Sequence, residues 1–220
     1  MPPREVVFAA EELGLADKLG ELMLRHAADA YHQCAAAGLK LGHVVVNLSP
    51  TQFADKSLAN NLIDLRNQLE LPWGALVIEI TERAFLDDLK GAAGLISRMR
   101  AHGFKFIIDD FGTGYSSIEY LKHLPVDGIK IDRAFVRDMV ASERDLGLVT
   151  SMVNMAHDLG VRVVAEGVES RGELEALRAL DCDCFQGYYF SEAVDLGRLL
   201  RLLVSPQADH WFAERRRVAN

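Results

Sequence analysis

Phe104 to Ser117 reads FKFIIDDFGTGYSS. An apolar run stops on two adjacent acids, Asp109 and Asp110. A loop with Gly112, Thr113 and Gly114 follows, and then a helix-like segment begins. Side chains at the ends of strands in α/β folds face the ligand crevice, so carboxylates there mark a candidate site. Neighbouring acids repel, and burying both costs free energy unless a cation offsets it. The pattern recurs outward from this stretch. Asn47 ends HVVVN, Glu79 ends ALVIE, Lys130 sits in GIKID and Glu166 ends VRVVAE. Several strands therefore deliver polar groups to one rim.

The spacing of apolar residues predicts alternating helix and strand. Helices are expected over 11–38, 54–71 (stopped by Pro72), 87–102, 117–123, 144–159, 171–180 and 195–204. Strands are expected at HVVVNLS, LVIEIT, FKFIID, GIKID, VRVVAE and CFQGYYF. Six strands alternating with helices imply parallel pairing, because parallel neighbours need a crossover. The strands are apolar almost throughout, as strands covered on both faces are. A TIM-like (β/α)₈ barrel fits best, with two strands missing from this chain; an open doubly wound sheet is the structural alternative. Half of the 220 residues are hydrophobic, enough for a sizeable core. No linker or compositional break divides residues 1–220, which read as a single domain.

The net charge of −8 argues against a non-specific nucleic-acid binder. It leaves room for a small phosphate ligand held through metal ions. No apolar run reaches the roughly 18 residues of a spanning helix, and the N-terminus lacks the apolar core of a signal peptide. A cytoplasmic chain with no membrane segment is expected. Three cysteines, Cys34, Cys182 and Cys184, are too few for a disulfide scaffold. The Cys182–Cys184 pair reads as reduced thiols packed near a strand.

The chain closely resembles the EAL family of cyclic-di-GMP phosphodiesterases. The resemblance rests on VVVNLSPTQF (44–53), EITER (79–83), DDFGTGYSS (109–117), LPVDGIKIDRAFV (124–136), VVAEGVES (163–170) and QGYYFS (186–191), in that order. It covers roughly residues 2–203, leaving a C-terminal tail at 205–220. It implies a barrel of the EAL type and metal-dependent cleavage of cyclic di-GMP to linear pGpG with two Mg²⁺ or Mn²⁺ ions. Hard divalent cations prefer the oxygen ligands that this rim offers. By family match Asn47, Glu79 and Asp109 serve the first metal; Asp109 bridges to the second, with Asp110 and Glu166. Lys130 orients the attacking water or balances charge, Glu166 doubles as a catalytic group, and Gln186 bonds water or substrate. Glu82, Gly112, Thr113, Gly114, Asp132 and Glu169 are supporting residues, Glu82 by steadying the DDFGTGYSS loop. A homodimer is implied, since that loop lies near the family's dimer contact, and so is a fused or separate regulatory domain.

Each residue has an ordinary structural alternative. Glu79 and Glu82 fit the exposed positions of an alternating strand, Lys130 fits a surface lysine, and Asn47 fits a turn before Pro50. The scattered histidines, such as His157, read as structural. Arg215, Arg216 and Arg217 read as a solvated tail.

The departure from the family matters most. The EAL-bearing strand, whose glutamate is a metal ligand, and a phosphate-binding arginine just after it precede Met1 in the family register. Glu175-Ala176-Leu177 spells EAL but lies in the helical pattern GELEALRAL and cannot replace that glutamate. Two readings follow: a shortened version of an active phosphodiesterase, or a non-catalytic cyclic-di-GMP receptor or protein-interaction module.

Overall fold

The computed structural model describes residues 3–113 and 118–205. Gly114 and the Arg215–Arg217 run lie outside the described residues. Six strands form one parallel sheet: β1 Val44–Leu48, β2 Leu76–Thr81, β3 Lys105–Phe111, β4 Gly128–Ile131, β5 Arg162–Ala165 and β6 Cys184–Phe185. Their spatial order is their chain order, β1 through β6. A doubly wound sheet reverses its order at a switch point; this sheet never reverses. The wall is therefore that of a curled half-barrel, and the doubly wound alternative falls.

The helices are α1 Pro3–Glu12, α2 Ala16–Ala36, α3 Pro50–Phe53, α4 Leu58–Gln68, α5 Leu89–Arg100, α6 Ile118–His123, α7 Arg133–Asp138, α8 Glu143–Asp158, α9 Arg171–Ala179 and α10 Leu196–Leu203. They cover the strands from outside. Ile78, Ile80, Phe106, Ile108, Ile129, Ile131 and Val163 are sealed against helix residues such as Ile96, Met99, Val153 and Leu177. At roughly 1.5–3 kcal/mol per fully buried large apolar side chain, this layer supplies the main driving force for folding.

Four expectations need correction, each for a local reason. The helix expected over 11–38 is two helices, because Gly14 takes a left-handed φ of 65° between α1 and α2. The helix expected over 54–71 begins later, as α4 at Leu58, and the separate short α3 precedes it. Ser49 and Gln52 cap the short α3 with Pro50 in its first turn, and Asp55 then turns the chain by accepting from the Ser57 N–H and hydroxyl, both at 2.8 Å. CFQGYYF is strand only at its first two residues, because Gly187 packs directly on the Val168 backbone. The unforeseen α7 starts where Asp132 accepts from the Ala134 N–H at 2.8 Å.

No described helix is long and apolar enough to cross a membrane. Cys34 and Cys182 are buried free thiols, and burial pushes the Cys182 thiol up to about 12. Thiol reagents act on the thiolate. In the native protein at about pH 8 they should spare Cys34 and Cys182, and denaturant should open all three cysteines. Peptide mapping that finds Cys182 labelled rapidly in native protein contradicts this burial.

Strands β1 and β6 are the free edges of the sheet, and Val45 on β1 is exposed. Free edges template pairing with other chains. The 220-residue chain should therefore self-associate or unfold at low temperature. Sedimentation velocity and calorimetry test this; a monodisperse monomer with a high melting temperature would contradict it.

Candidate active site

The rim is built by strand ends. Between Ile108 and Phe111 the β3–β4 register slips: Ile108 pairs with Ile129 and Phe111 with Ile131, so Asp109 and Asp110 stand against Lys130 alone. This is a bulge. Asp110 takes a left-handed φ of 54°, a conformation that aspartate tolerates better than most residues. In a regular strand the two side chains would point to opposite faces. The bulge instead brings the Asp109 and Asp110 carboxylates together, and Glu166, the first residue after β5, joins them. The three offer oxygens within 4.8 Å of one another.

Lys130 stands at the centre and is only 3% exposed. Its Nζ lies 2.5 Å from Glu166 Oε1, 2.9 Å from Glu79 Oε1 and 3.2 Å from Asp109 Oδ1. Burial alone would lower its pKa, but Glu79 foremost, then Glu166 and Asp109, reverse that and hold it well above the ordinary lysine value. Burial also raises the pKa of Glu79 and of Glu166, against the pull of Lys130. Three carboxylates thus face one ammonium, and Asp110 adds a fourth acid beside Asp109 and Glu166. The excess of hard oxygen donors fits a hard divalent cation, with Asp109, Asp110 and Glu166 as the residues that could hold it.

Glu79 and Glu82 are buried, so the exposed-strand alternative fails for both, and Lys130 is no surface lysine. Glu82 Oε1 accepts from the Gly112 N–H at 3.3 Å. Gly112 has a φ of 95°, and a Cβ there would press on Phe135 and Met152. The Thr113 hydroxyl donates to the Asp110 carbonyl at 2.8 Å. Asn47 lies in β1 rather than a turn; it is exposed and level with Glu79 in the register. Gln186 follows β6, at the opposite edge of the sheet from Asn47. Asp132 caps α7. Glu169, Glu166 and Gln186 line a shallow hollow of about 180 Å³ with Arg133, Gly167, Gly187 and Tyr188. The decoy Glu175 is exposed on α9 and pairs with Arg171 at 2.7 Å.

Sequence reasoning missed Arg133 and Glu173. Ser170 and Glu173 form a capping box, and the S-x-x-E spacing would have disclosed it.

The family profile described as EAL domain matches residues 1–193. The chain belongs to the EAL domain family. Cyclic di-GMP phosphodiesterase NbdA of Pseudomonas aeruginosa is 36% identical over 201 residues, 91% of this chain and 26% of that protein. The solved phosphodiesterase PaMucR in complex with c-di-GMP superposes with a TM-score of 0.85 at 32% identity, covering 90% of this chain and 81% of that one. The EAL domain of Mycobacterium smegmatis DcpA gives 0.79 at 32% identity, covering 86% and 85%. The chain spans about a quarter of the length of the curated relatives it matches.

Removing the ammonium leaves Glu79, Asp109 and Glu166 facing one another. Breaking a buried ion pair from one side costs about 3–5 kcal/mol. Lys130→Met should therefore lower the urea-unfolding free energy by that order in metal-free buffer. A variant as stable as wild type would sink this account of the cluster.

Proposed function

We propose that this domain takes part in metal-dependent hydrolysis of one phosphodiester of cyclic di-GMP, giving linear pGpG. The single observation that carries the reading is the gathering of Glu79, Asp109 and Glu166 around the buried Lys130, with Asp110 beside Asp109 and Glu166. Kinship with named cyclic-di-GMP phosphodiesterases supports the choice of substrate. Mg²⁺ or Mn²⁺ would be held by Asp109, Asp110 and Glu166, with Asn47 and Glu79 as the further candidates, and would polarise the phosphate and acidify the attacking water.

The chain's own residues do the rest. Lys130 is fixed by three carboxylates, so its charge is already in place when negative charge develops on the phosphate; such preorganisation is the larger part of electrostatic catalysis. The water oxygen forms the new bond to phosphorus, its proton passing to a rim carboxylate. The P–O3′ bond breaks, and the ribose oxygen leaves with a proton. Gln186, exposed beside Glu166 in the same hollow, offers an amide to water or substrate. Glu82 holds the turn after β3 through Gly112, which keeps Asp109 and Asp110 in register. Asp132 and Glu169 act from the margins, one as a cap and one as a lining acid.

The family's EAL glutamate and nearby arginine lie outside this sequence. A small misplacement near the reacting atoms can cost about 10²-fold or more. The 220-residue chain alone should hydrolyse cyclic di-GMP weakly or not at all. Fusing the upstream strands, native or from a related domain, should restore Mn²⁺-dependent pGpG formation in a chromatographic assay, and Glu79→Ala or Lys130→Ala should abolish it. Binding without any cleavage in the restored protein would hand the case to the receptor reading.

A further inference from the structure

We infer that Glu173 is a positioning residue for the acid cluster: it clamps the loop from Glu166 to Ser170 so that Glu166 stays turned toward Lys130 and the cation site. This inference rests on the metal-dependent reading above.

Glu166 leaves β5 with its N–H donating to the Ile131 carbonyl at 3.0 Å. The chain then turns through Gly167, whose φ is 68° and where a Cβ would lie 2.3 Å from Arg133 Cβ. The Val168 N–H donates to the Gln186 carbonyl at 3.0 Å, and the Tyr189 N–H donates back to the Val168 carbonyl at 2.9 Å. The far end of the loop is held by one carboxylate oxygen. Glu173 Oε2 accepts from the Glu169 N–H at 2.7 Å and from the Ser170 N–H at 2.8 Å, while Ser170 Oγ accepts from the Glu173 N–H at 3.2 Å.

An ordinary capping box reaches back to one N–H, that of the N-cap residue. This one reaches a residue further, to Glu169. The Glu173 side chain is buried, at 7% residue exposure, so these charge-assisted bonds are short and poorly replaced by water. The need for such a clamp is electrostatic. Glu166 stands beside Asp109 and Asp110, whose charges repel it, and among the described residues Lys130 is the cation that pairs with it. A loop fixed at both ends keeps that repulsion from swinging the carboxylate away. Partners of this kind, one step removed from a metal ligand, govern metal affinity.

The test compares wild type with Glu173→Ala, Glu173→Gln and Ser170→Ala, each titrated with Mn²⁺ by thermal shift and followed by amide hydrogen exchange at Glu169 and Ser170. One oxygen accepts both bonds in the native protein, so Glu173→Gln should keep both the exchange protection and the Mn²⁺ affinity. Glu173→Ala should lose the protection and bind Mn²⁺ about 10–100-fold more weakly. Ser170→Ala removes the other half of the box; it should melt lower yet bind Mn²⁺ as wild type does. If Glu173→Ala does not fold, Glu173→Asp, whose shorter arm falls short of Glu169, takes its place. Wild-type affinity in Glu173→Ala overturns the inference and leaves the metal reading standing. Equal loss of affinity in Ser170→Ala, or in Glu173→Gln, overturns it too, since affinity then follows stability or charge. A wild-type protein with no Mn²⁺ response overturns the metal reading itself, and this inference with it.

Discussion

Lys130 carries a charge into a place that water barely reaches, and the rim is arranged around the consequences. An ammonium buried in an apolar wall would surrender its proton unless opposite charges held it. Here they come from three strands: Glu79 from β2, Asp109 from β3 and Glu166 from the end of β5. Each carboxylate is itself partly desolvated, and each is tolerated because the lysine faces it. The arrangement is mutual. Removing the cation leaves the acids in repulsion, while removing one acid leaves the others still outnumbering the lysine. The site is therefore over-supplied with negative charge in its ion-free form, and a divalent cation is the natural complement.

Geometry makes that over-supply possible. Side chains on a regular strand alternate between faces, so adjacent acids at 109 and 110 could not both serve one centre. The bulge opposite Lys130 lifts this rule at one residue, and the left-handed Asp110 records the local strain. Phe111 then re-enters the register against Ile131, so the disturbance is confined to the rim and the apolar wall below it stays regular.

Much of this was legible in the sequence. Short, largely apolar runs ending in Asn47, Glu79, Asp109 and Glu166, with Lys130 inside GIKID, disclosed the strands and the rim, because burial on both faces leaves little else for such runs to be. The strand count held, and chain order separated barrel wall from doubly wound sheet only once the pairing was seen. What stayed hidden depends on atoms rather than on pattern. The bulge has no signature beyond two acids in a row. The break at Gly14 competes with good helical spacing on both sides, and Asp55 ends a helix through its own turn chemistry. CFQGYYF has strand-like composition, yet Gly187 is there for the Val168 backbone to pass over it. Glu173 was half legible: the S-x-x-E spacing signals its capping box, but its further bond to the Glu169 N–H depends on how the loop turns.

Among the described residues the sheet is a half-barrel, which raises the question of what holds its rim in place. The hydrogen bonds give a physical answer. The loop after β1 is tied by Gln52, whose amide accepts from the Ser49 N–H at 3.0 Å and donates to the Ala16 carbonyl at 2.9 Å. The turn after β3 is tied by Glu82, the segment after β4 by Asp132, and the loop after β5 by Glu173. The loops after β1, β3, β4 and β5 thus each have a side chain that satisfies freed backbone groups. Some of these ties are local in sequence, as at Asp132 and Glu173, while Glu82 and Gln52 reach across some thirty residues or more to join neighbouring segments of the wall. The central strands, β2 to β5, gain neighbours on both sides as well, and there the cluster is most tightly determined. Asn47 and Gln186 stand at the two edges, where the ladder ends, and both are exposed. Their placement rests on one neighbouring strand instead of two, whereas the charge cluster around Lys130 is drawn from strands paired on both sides.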